Sequence, residues 1–114
     1  MSRARASARA LVRGAAPLFA ALGDENRLRL LVRLSASGPE SITRLSESSP
    51  ITRQAITKHL KVLAGAGLVR GTRRGRESRW ALERKPLDVA TSYLERISER
   101  WDSALSRLKA FVEE

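Results

Sequence analysis

The 114-residue sequence predicts one mainly α-helical domain with a small β-hairpin and a long C-terminal helix. Three observations support this fold class. Apolar residues recur at helical spacing over most of the chain, two short extended runs flank a glycine-bearing arginine cluster, and the last quarter keeps an unbroken apolar seam. With 42% hydrophobic residues the chain can bury one core, and its length leaves no room for a second domain.

The composition excludes several classes of function. The chain has no cysteine, which excludes disulfides and thiolate metal sites, and its one histidine is His59. It also lacks a glycine-rich phosphate loop and paired catalytic carboxylates, so we do not expect an enzyme or a cofactor. No apolar run approaches the roughly 20 residues of a membrane span, and we expect a soluble cytoplasmic protein.

The charge distribution points to a polyanionic partner. The chain carries 22 basic and 12 acidic residues, a formal net charge of +10. The first 86 residues carry a net charge of +12, and the last 28 residues carry a net charge of −2. Such a field attracts polyanions at long range. A membrane surface would require a basic amphipathic helix, whereas the longest amphipathic stretch is acidic, so nucleic acid is the expected partner.

The N-terminal segment, residues 1–13, is predicted to be a flexible basic arm that precedes a domain over residues 14–114. It has four arginines and no acidic residue, a composition that does not favour its own folding. Three alternatives stay open: an inert tail, a transit-peptide-like segment, or the frayed start of a first helix that runs through Pro17–Leu22.

Capping residues and glycines delimit the next helices. Asp24 is the expected cap of a second helix, which ends at Gly38-Pro39. Its periodic apolar residues are Leu28, Leu31, Val32 and Leu34. A short helix over Ser41–Ser48, with Ile42 and Leu45 inward, precedes a turn and a further helix over about residues 52–64, which begins after the cap Thr52.

The extended runs Leu68–Thr72 and Ser78–Leu82 predict a hairpin over about residues 68–82, with its tip at residues 73–76. An isolated hairpin is only marginally stable, so this one must pack on the helices through Leu68, Trp80 and Leu82. Trp80 is therefore the expected core anchor, although it could instead border an effector pocket.

The last helix, over about residues 87–114, carries the apolar seam. Its apolar residues alternate at four and three positions for about three heptads: Ala90, Leu94, Ile97, Trp101, Ala104, Leu108 and Phe111. A helix roughly 40 Å long exceeds what so small a domain can cover. We expect a homodimer whose interface includes Leu94, Ile97, Trp101, Leu108 and Phe111. The alternative is that the helix packs only on its own first helix, and Trp101 could also border an effector pocket.

Two short helices followed by a basic hairpin are the layout of a winged helix-turn-helix domain. Burial of Ile56, Leu60 and Leu63 would turn five donor-rich side chains outward for base and phosphate contacts: Arg53, Gln54, Thr57, Lys58 and Lys61. On the hairpin, Arg73, Arg74 and Arg76 are the expected contacts to phosphate or to the minor groove.

Four segments resemble the ArsR/SmtB family of bacterial winged-helix transcription regulators from about Pro17 onward. They are DENRLRLL, ITRQAITKHLKVLAGAGLV, RRGRESRWAL and ERWDSALSRLKAFVEE. The resemblance implies a homodimeric repressor in which the first and last helices form the interface. It also implies operator contacts from the positions that match Arg53, Gln54, Thr57 and Lys58, and a location on the bacterial nucleoid.

The sequence departs from the metal-sensing members of that family. The stretch Ser41–Leu45 has no ligand where many relatives carry Cys-x-Cys. The last helix has four carboxylates but no histidine, and carboxylates alone hold zinc poorly: Asp88, Glu95, Glu99 and Asp102. We expect a solvated acidic face partly paired with Arg96 and Arg100, no metal, and a small organic effector or none.

His59 is expected to pack at the buried edge of its helix, with one hydrogen bond to backbone or phosphate. Gln54 and Thr57 favour a sequence-specific repressor of an inverted-repeat operator over the alternative, a nonspecific architectural protein of the nucleoid type, because purely electrostatic binding does not need them.

Overall fold

The computed structural model describes residues 3–113, with side chains from Arg9 onward. Along this range the chain forms five helices and three strands: α1 (Arg3–Leu22), α2 (Glu25–Ser37), β1 (Glu40–Ser41), α3 (Ile42–Glu47), α4 (Arg53–Gly65), β2 (Val69–Arg74), β3 (Glu77–Leu82) and α5 (Arg84–Glu113). The predicted fold class is confirmed.

The N-terminal segment is helical from Arg3 onward. Helix α1 begins at Arg3, which corresponds to the alternative in which the first helix starts inside this segment, and residues 1 and 2 lie outside the described range. Alanine, arginine and leucine are strong helix formers, and they dominate the segment before Pro17. Arg9 and Arg13 both lie on this helix.

Helix α2 begins and ends as its sequence predicts. Asp24 caps it, because its Oδ1 accepts a hydrogen bond from Arg27 N at 3.1 Å, and Gly38 ends it at φ +78°. Not all of the periodic apolar residues of α2 are buried: Val32 is 67% exposed. At about 100° per residue Val32 points away from the buried Leu34, and the half-exposed Leu28 also lies outside the core.

Helices α3 and α4 form the predicted helix-turn-helix. The hydroxyls of Ser41 and Thr52 cap them by accepting from Arg44 N at 3.2 Å and from Ala55 N at 3.1 Å. The predicted inward residues of both helices are buried: Ile42, Leu45, Ile56, Leu60 and Leu63. They join α2 in one hydrophobic core.

The hairpin forms as predicted and gains a third strand. Strands β2 and β3 pair antiparallel from Val69↔Leu82 to Arg74↔Glu77, and Gly75 turns the chain at φ +65°. The short β1 pairs with β3 in the order β1-β3-β2. The sequence did not predict β1, because two residues show no alternation and the strand exists only through its tertiary partner.

Trp80 anchors the hairpin on the core, as predicted. Its ring lies over Gly71 of the facing strand, where an added Cβ would stand 3.1 Å from the ring. The absence of a side chain at position 71 therefore lets Trp80 lie flat against β2.

Helix α5 begins at Arg84, three residues before the predicted start at Leu87. Pro86 lies in its first turn, where a missing backbone N–H costs little. The N-terminal half of α5 packs on α1, with the rings of Phe19 and Tyr93 at 5.6 Å between centroids. The described chain extends 67 Å along its longest axis. Among its helices, none is both long and apolar enough to cross a membrane.

Candidate nucleic-acid interface

The five side chains predicted on the outward face of α4 lie together. They line one open groove of about 490 Å³: Arg53, Gln54, Thr57, Lys58 and Lys61. Four of them are exposed, and Thr57 is half-buried with its hydroxyl donating to Arg53 O at 2.9 Å. The burial of Ile56, Leu60 and Leu63 on the other side of α4 produces this arrangement.

The N-terminus of α4 adds positive potential to the groove. Its first turn contains no acidic residue, and the free amides of a helix N-terminus favour anions. Thr52 satisfies one amide, that of Ala55. The groove thus combines side-chain donors with the positive end of a helix.

The hairpin, which we call the wing (residues 68–82), places its arginines in two locations. Arg76 and Arg53 line a common cleft of about 260 Å³ between the wing tip and α4. Arg73 and Arg74 lie on β2, exposed and outside that cleft. The structure therefore brings together the start of α4 and one side of the wing.

Four residues of this cleft were not predicted as DNA contacts: Ile42 and Thr43 on α3, and Glu77 and Ser78 on β3. Thr43 is exposed two residues after the cap Ser41, and Ser78 pairs with Arg73 across the hairpin. The sequence signal for Thr43 was its place between the inward residues Ile42 and Leu45, which directs it outward.

Basic residues outnumber acidic ones on this surface, where Glu77 is the acidic residue that lines the cleft with Arg53 and Arg76. Between Arg9 and Glu113, no ion pair involves the eight predicted DNA contacts on α4 and the wing. One pair lies at the base of the wing, where Arg70 Nε is 3.2 Å from Glu83 Oε1. The cations of the groove and wing tip are therefore available to an external polyanion.

His59 lies outside the groove and contacts α2. Its Nδ1 is 3.4 Å from Arg27 Nη1 and 3.9 Å from Asp24 Oδ1. The half-buried location was predicted, but the partner is a side chain rather than backbone or phosphate. The hydrogen bond from Arg27 N holds the pKa of Asp24 below its ordinary value, so this carboxylate is charged at neutral pH.

The seam of α5 is open in the single chain. Its predicted interface residues are between 39% and 74% exposed: Leu94, Ile97, Trp101, Leu108 and Phe111. Leu105 and Val112 extend the same apolar face. Ala90, nearer the core, is buried. The intramolecular α1 contact therefore covers only part of the seam.

The acidic residues of α5 are arranged differently from the expectation. Within the described range, the ion pair of this helix joins Arg84 Nε to Asp88 Oδ1 at 3.8 Å, and none involves Arg96 or Arg100. Arg96 and Arg100 instead line a shallow hollow with Tyr93 and α1. No three His, Asp or Glu side chains in that range lie close enough together to hold a metal ion.

A helix-turn-helix with an exposed cationic recognition helix and an arginine-rich wing defines the winged helix-turn-helix class of DNA-binding proteins. The sequence profile of a family described as a helix-turn-helix domain matches residues 22–72. The chain is 38% identical over 76 residues to the uncharacterized HTH-type transcriptional regulator YuzN of Bacillus subtilis (strain 168), a match that covers 61% of this chain and 83% of that protein.

Solved structures agree with this class. An ArsR-like transcriptional regulator from Rhodococcus sp. RHA1 is 37% identical with a TM-score of 0.76, covering 87% of this chain and 92% of its own. The cadmium metal-sensor CMTR from Mycobacterium tuberculosis is 40% identical with a TM-score of 0.51, over 59% of this chain and 68% of its own. The present chain belongs to the ArsR family of transcriptional regulators.

Proposed function

We propose that the chain is a homodimeric repressor that binds an inverted-repeat operator with sequence specificity in the bacterial cytoplasm. The observation that carries this proposal is the groove of α4, where four donor-bearing side chains and the hydroxyl of Thr57 lie side by side next to the arginine-rich wing. The recognition helix (about residues 52–64) would enter the major groove, and the wing would contact the flanking DNA.

The chemistry of the groove supports base reading as well as charge attraction. An arginine such as Arg53 can donate two hydrogen bonds to a guanine edge, and Gln54 can pair with adenine. Lys58 and Lys61 can contact either base edges or phosphates. A surface used only for electrostatic binding has no need of an amide at position 54 among the cations.

The wing supports a clamping role. The exposed Arg73, Arg74 and Arg76 surround a glycine turn, so they can approach phosphates or a narrow minor groove closely. Five arginines in residues 70–79 against one glutamate repel each other, and a polyanion relieves that repulsion.

The open seam of α5 supports a second copy of the chain as the dimer partner. Trp101 at 64% and Phe111 at 74% exposure are large apolar side chains on one helix face, which monomers rarely leave uncovered. A two-fold axis through the contact between the two α5 helices would place the recognition helices about 34–36 Å apart. At that distance each can enter one of two successive major grooves. This arrangement requires neither a metal nor a cofactor.

Mapping of bound DNA across the genome tests the proposal, beginning with the promoter of the protein's own gene. The recovered site is then competed with random duplex at physiological salt. We expect specific binding to exceed random binding by about 10³ or more. Equal affinities with equally steep salt dependence would contradict specific repression and support the architectural alternative.

A further inference from the structure

One arginine connects three helices behind the proposed DNA surface. Arg27 of α2 donates from Nε to Ala21 O at 2.6 Å and from Nη2 to Ala20 O at 3.4 Å. Because the last carbonyls of a helix lack donors within that helix, the guanidinium caps the C-terminus of α1. Its remaining arm, Nη1, lies 3.4 Å from Nδ1 of His59 on α4.

His59 faces away from the groove. At about 100° per residue, its position lies next to the inward Leu63 and on the far side of α4 from Lys61. Its side chain is 19% exposed, and neither it nor Arg27 lines the groove. A guanidinium only donates hydrogen bonds, so a hydrogen bond from Arg27 requires Nδ1 to accept, with the proton of a neutral ring on Nε2.

We infer that Arg27 is a positioning residue that fixes the orientation of α4 against the end of α1, and thereby the spacing of half-sites that the dimer accepts. Helix α1 packs along α5, whose open seam is the proposed dimer contact. A change in the tilt of α4 against α1 is repeated by symmetry in the partner, so it changes the distance between the two recognition helices. The inference rests on the proposed function, because half-site spacing exists only for a dimer on an inverted repeat.

The test compares wild type, Arg27→Ala and Arg27→Lys on operators whose central spacer is one base pair longer or shorter, and on a duplex with a single half-site. Lysine keeps the charge but lacks the fork that reaches three acceptors. We expect both variants to lose about tenfold in affinity at the wild-type spacing, the scale of one lost charge-assisted hydrogen bond. Their preference among spacings should flatten, while single half-site affinity stays unchanged.

Arg29→Ala is the matched control. Arg29 lies on the same helix, is exposed, and pairs with Glu25 rather than with α1 or α4. It should keep the wild-type spacing preference. Arg27 variants that retain that preference, or that lose affinity equally for every duplex including the single half-site, would overturn the inference.

A second measurement needs no DNA. His59 is the one histidine of the chain, so its ring nitrogens are assigned in NMR spectra without ambiguity. In mildly alkaline buffer we expect the Nε2–H tautomer in the wild type and a mixture of tautomers in Arg27→Ala. A wild-type ring protonated at Nδ1 would refute the Arg27 contact. If the wild type bound operators of every spacer length with equal affinity, the proposed dimer on an inverted repeat would be contradicted. The NMR result tests the contact between Arg27 and His59 in either case.

Discussion

Arg33 of α2 and Glu40 of β1 form a two-point ion pair that ties the edge of the sheet to the helical core. Arg33 Nε donates to Oε2 at 2.7 Å and Nη2 donates to Oε1 at 3.1 Å. The same Nη2 donates to Arg44 O at 3.0 Å, near the end of α3. Because β1 pairs with β3, this contact also supports the wing.

Glu40→Gln is expected to destabilise the fold by about 1.5–3 kcal/mol at neutral pH, the range for a hydrogen bond to a charged group. Side-chain hydrogen bonding from Arg33 lowers the pKa of Glu40 from its ordinary 4.5. The stabilisation is therefore complete above about pH 4.5 and is lost as the pH falls through the native pKa. Urea unfolding of both proteins across this range measures the difference.

Glu25→Gln serves as the control for that series, because the pair between Glu25 and Arg29 is exposed on both sides and contributes little. It should unfold almost as the wild type does at every pH. A Glu40→Gln variant that matches the Glu25→Gln variant at neutral pH would refute the stabilising role of the Arg33 contact.

Replacement of Gly71 and of Gly65 by alanine should change the free energy of unfolding in opposite directions. At Gly71 the new Cβ would press on the Trp80 ring at 3.1 Å, and this overpacking should cost about 1–3 kcal/mol. At Gly65 of α4 a Cβ would meet nothing within 4 Å, and the better helix former should stabilise by about 0.5–1 kcal/mol. Thermal unfolding of both variants measures these changes. If both variants were more stable than the wild type, or both less stable, this packing would be contradicted.

Among the elements, substitutions on α4 should distinguish residues that read bases from residues that contact phosphates. Gln54→Ala should lower affinity for the operator by about 1–3 kcal/mol and leave random-duplex affinity almost unchanged. Lys61→Ala should weaken both duplexes alike and reduce the salt slope by about one unit if Lys61 contacts a phosphate. Salt-dependent titrations of both duplexes distinguish these outcomes. The base-reading role of Gln54 fails if its removal weakens both duplexes equally.

Local signals predicted most of these elements. The caps Asp24 and Thr52 and the glycine turn at Gly75 act within a few residues, so their consequences could be read directly from the sequence. The face of α4 followed from its helical period, because three inward apolar residues determine which positions point outward.

What the sequence did not reveal depends on contacts between distant segments. Strand β1 exists because β3 pairs with it, and His59 found its partner on α2, a helix that begins 34 residues earlier. The exposure of Val32 depends on which side of α2 the core occupies. The spacing of apolar residues identifies the apolar face of a helix, but tertiary packing decides which residues of that face are buried.

For the whole molecule, the central structural expectation is the dimer. Trp101→Glu places a charge in the exposed seam of α5 and should convert the dimer to a monomer, because a buried unpaired carboxylate is costly. Ser106→Glu, on the opposite face of the same helix, is the matched control and should remain dimeric. Molar mass by light scattering during gel filtration measures both, and a dimeric Trp101→Glu protein would argue against this interface.

Selection of bound molecules from a library of randomised duplexes tests the reading of bases by a symmetric pair of α4 helices most directly. The proposed dimer predicts enrichment of one inverted repeat whose half-site centres are about 10–10.5 base pairs apart. Enrichment should disappear when Arg53 and Gln54 are both replaced by alanine. A library that emerges without any enriched motif, although the protein binds it tightly, would contradict base reading by α4.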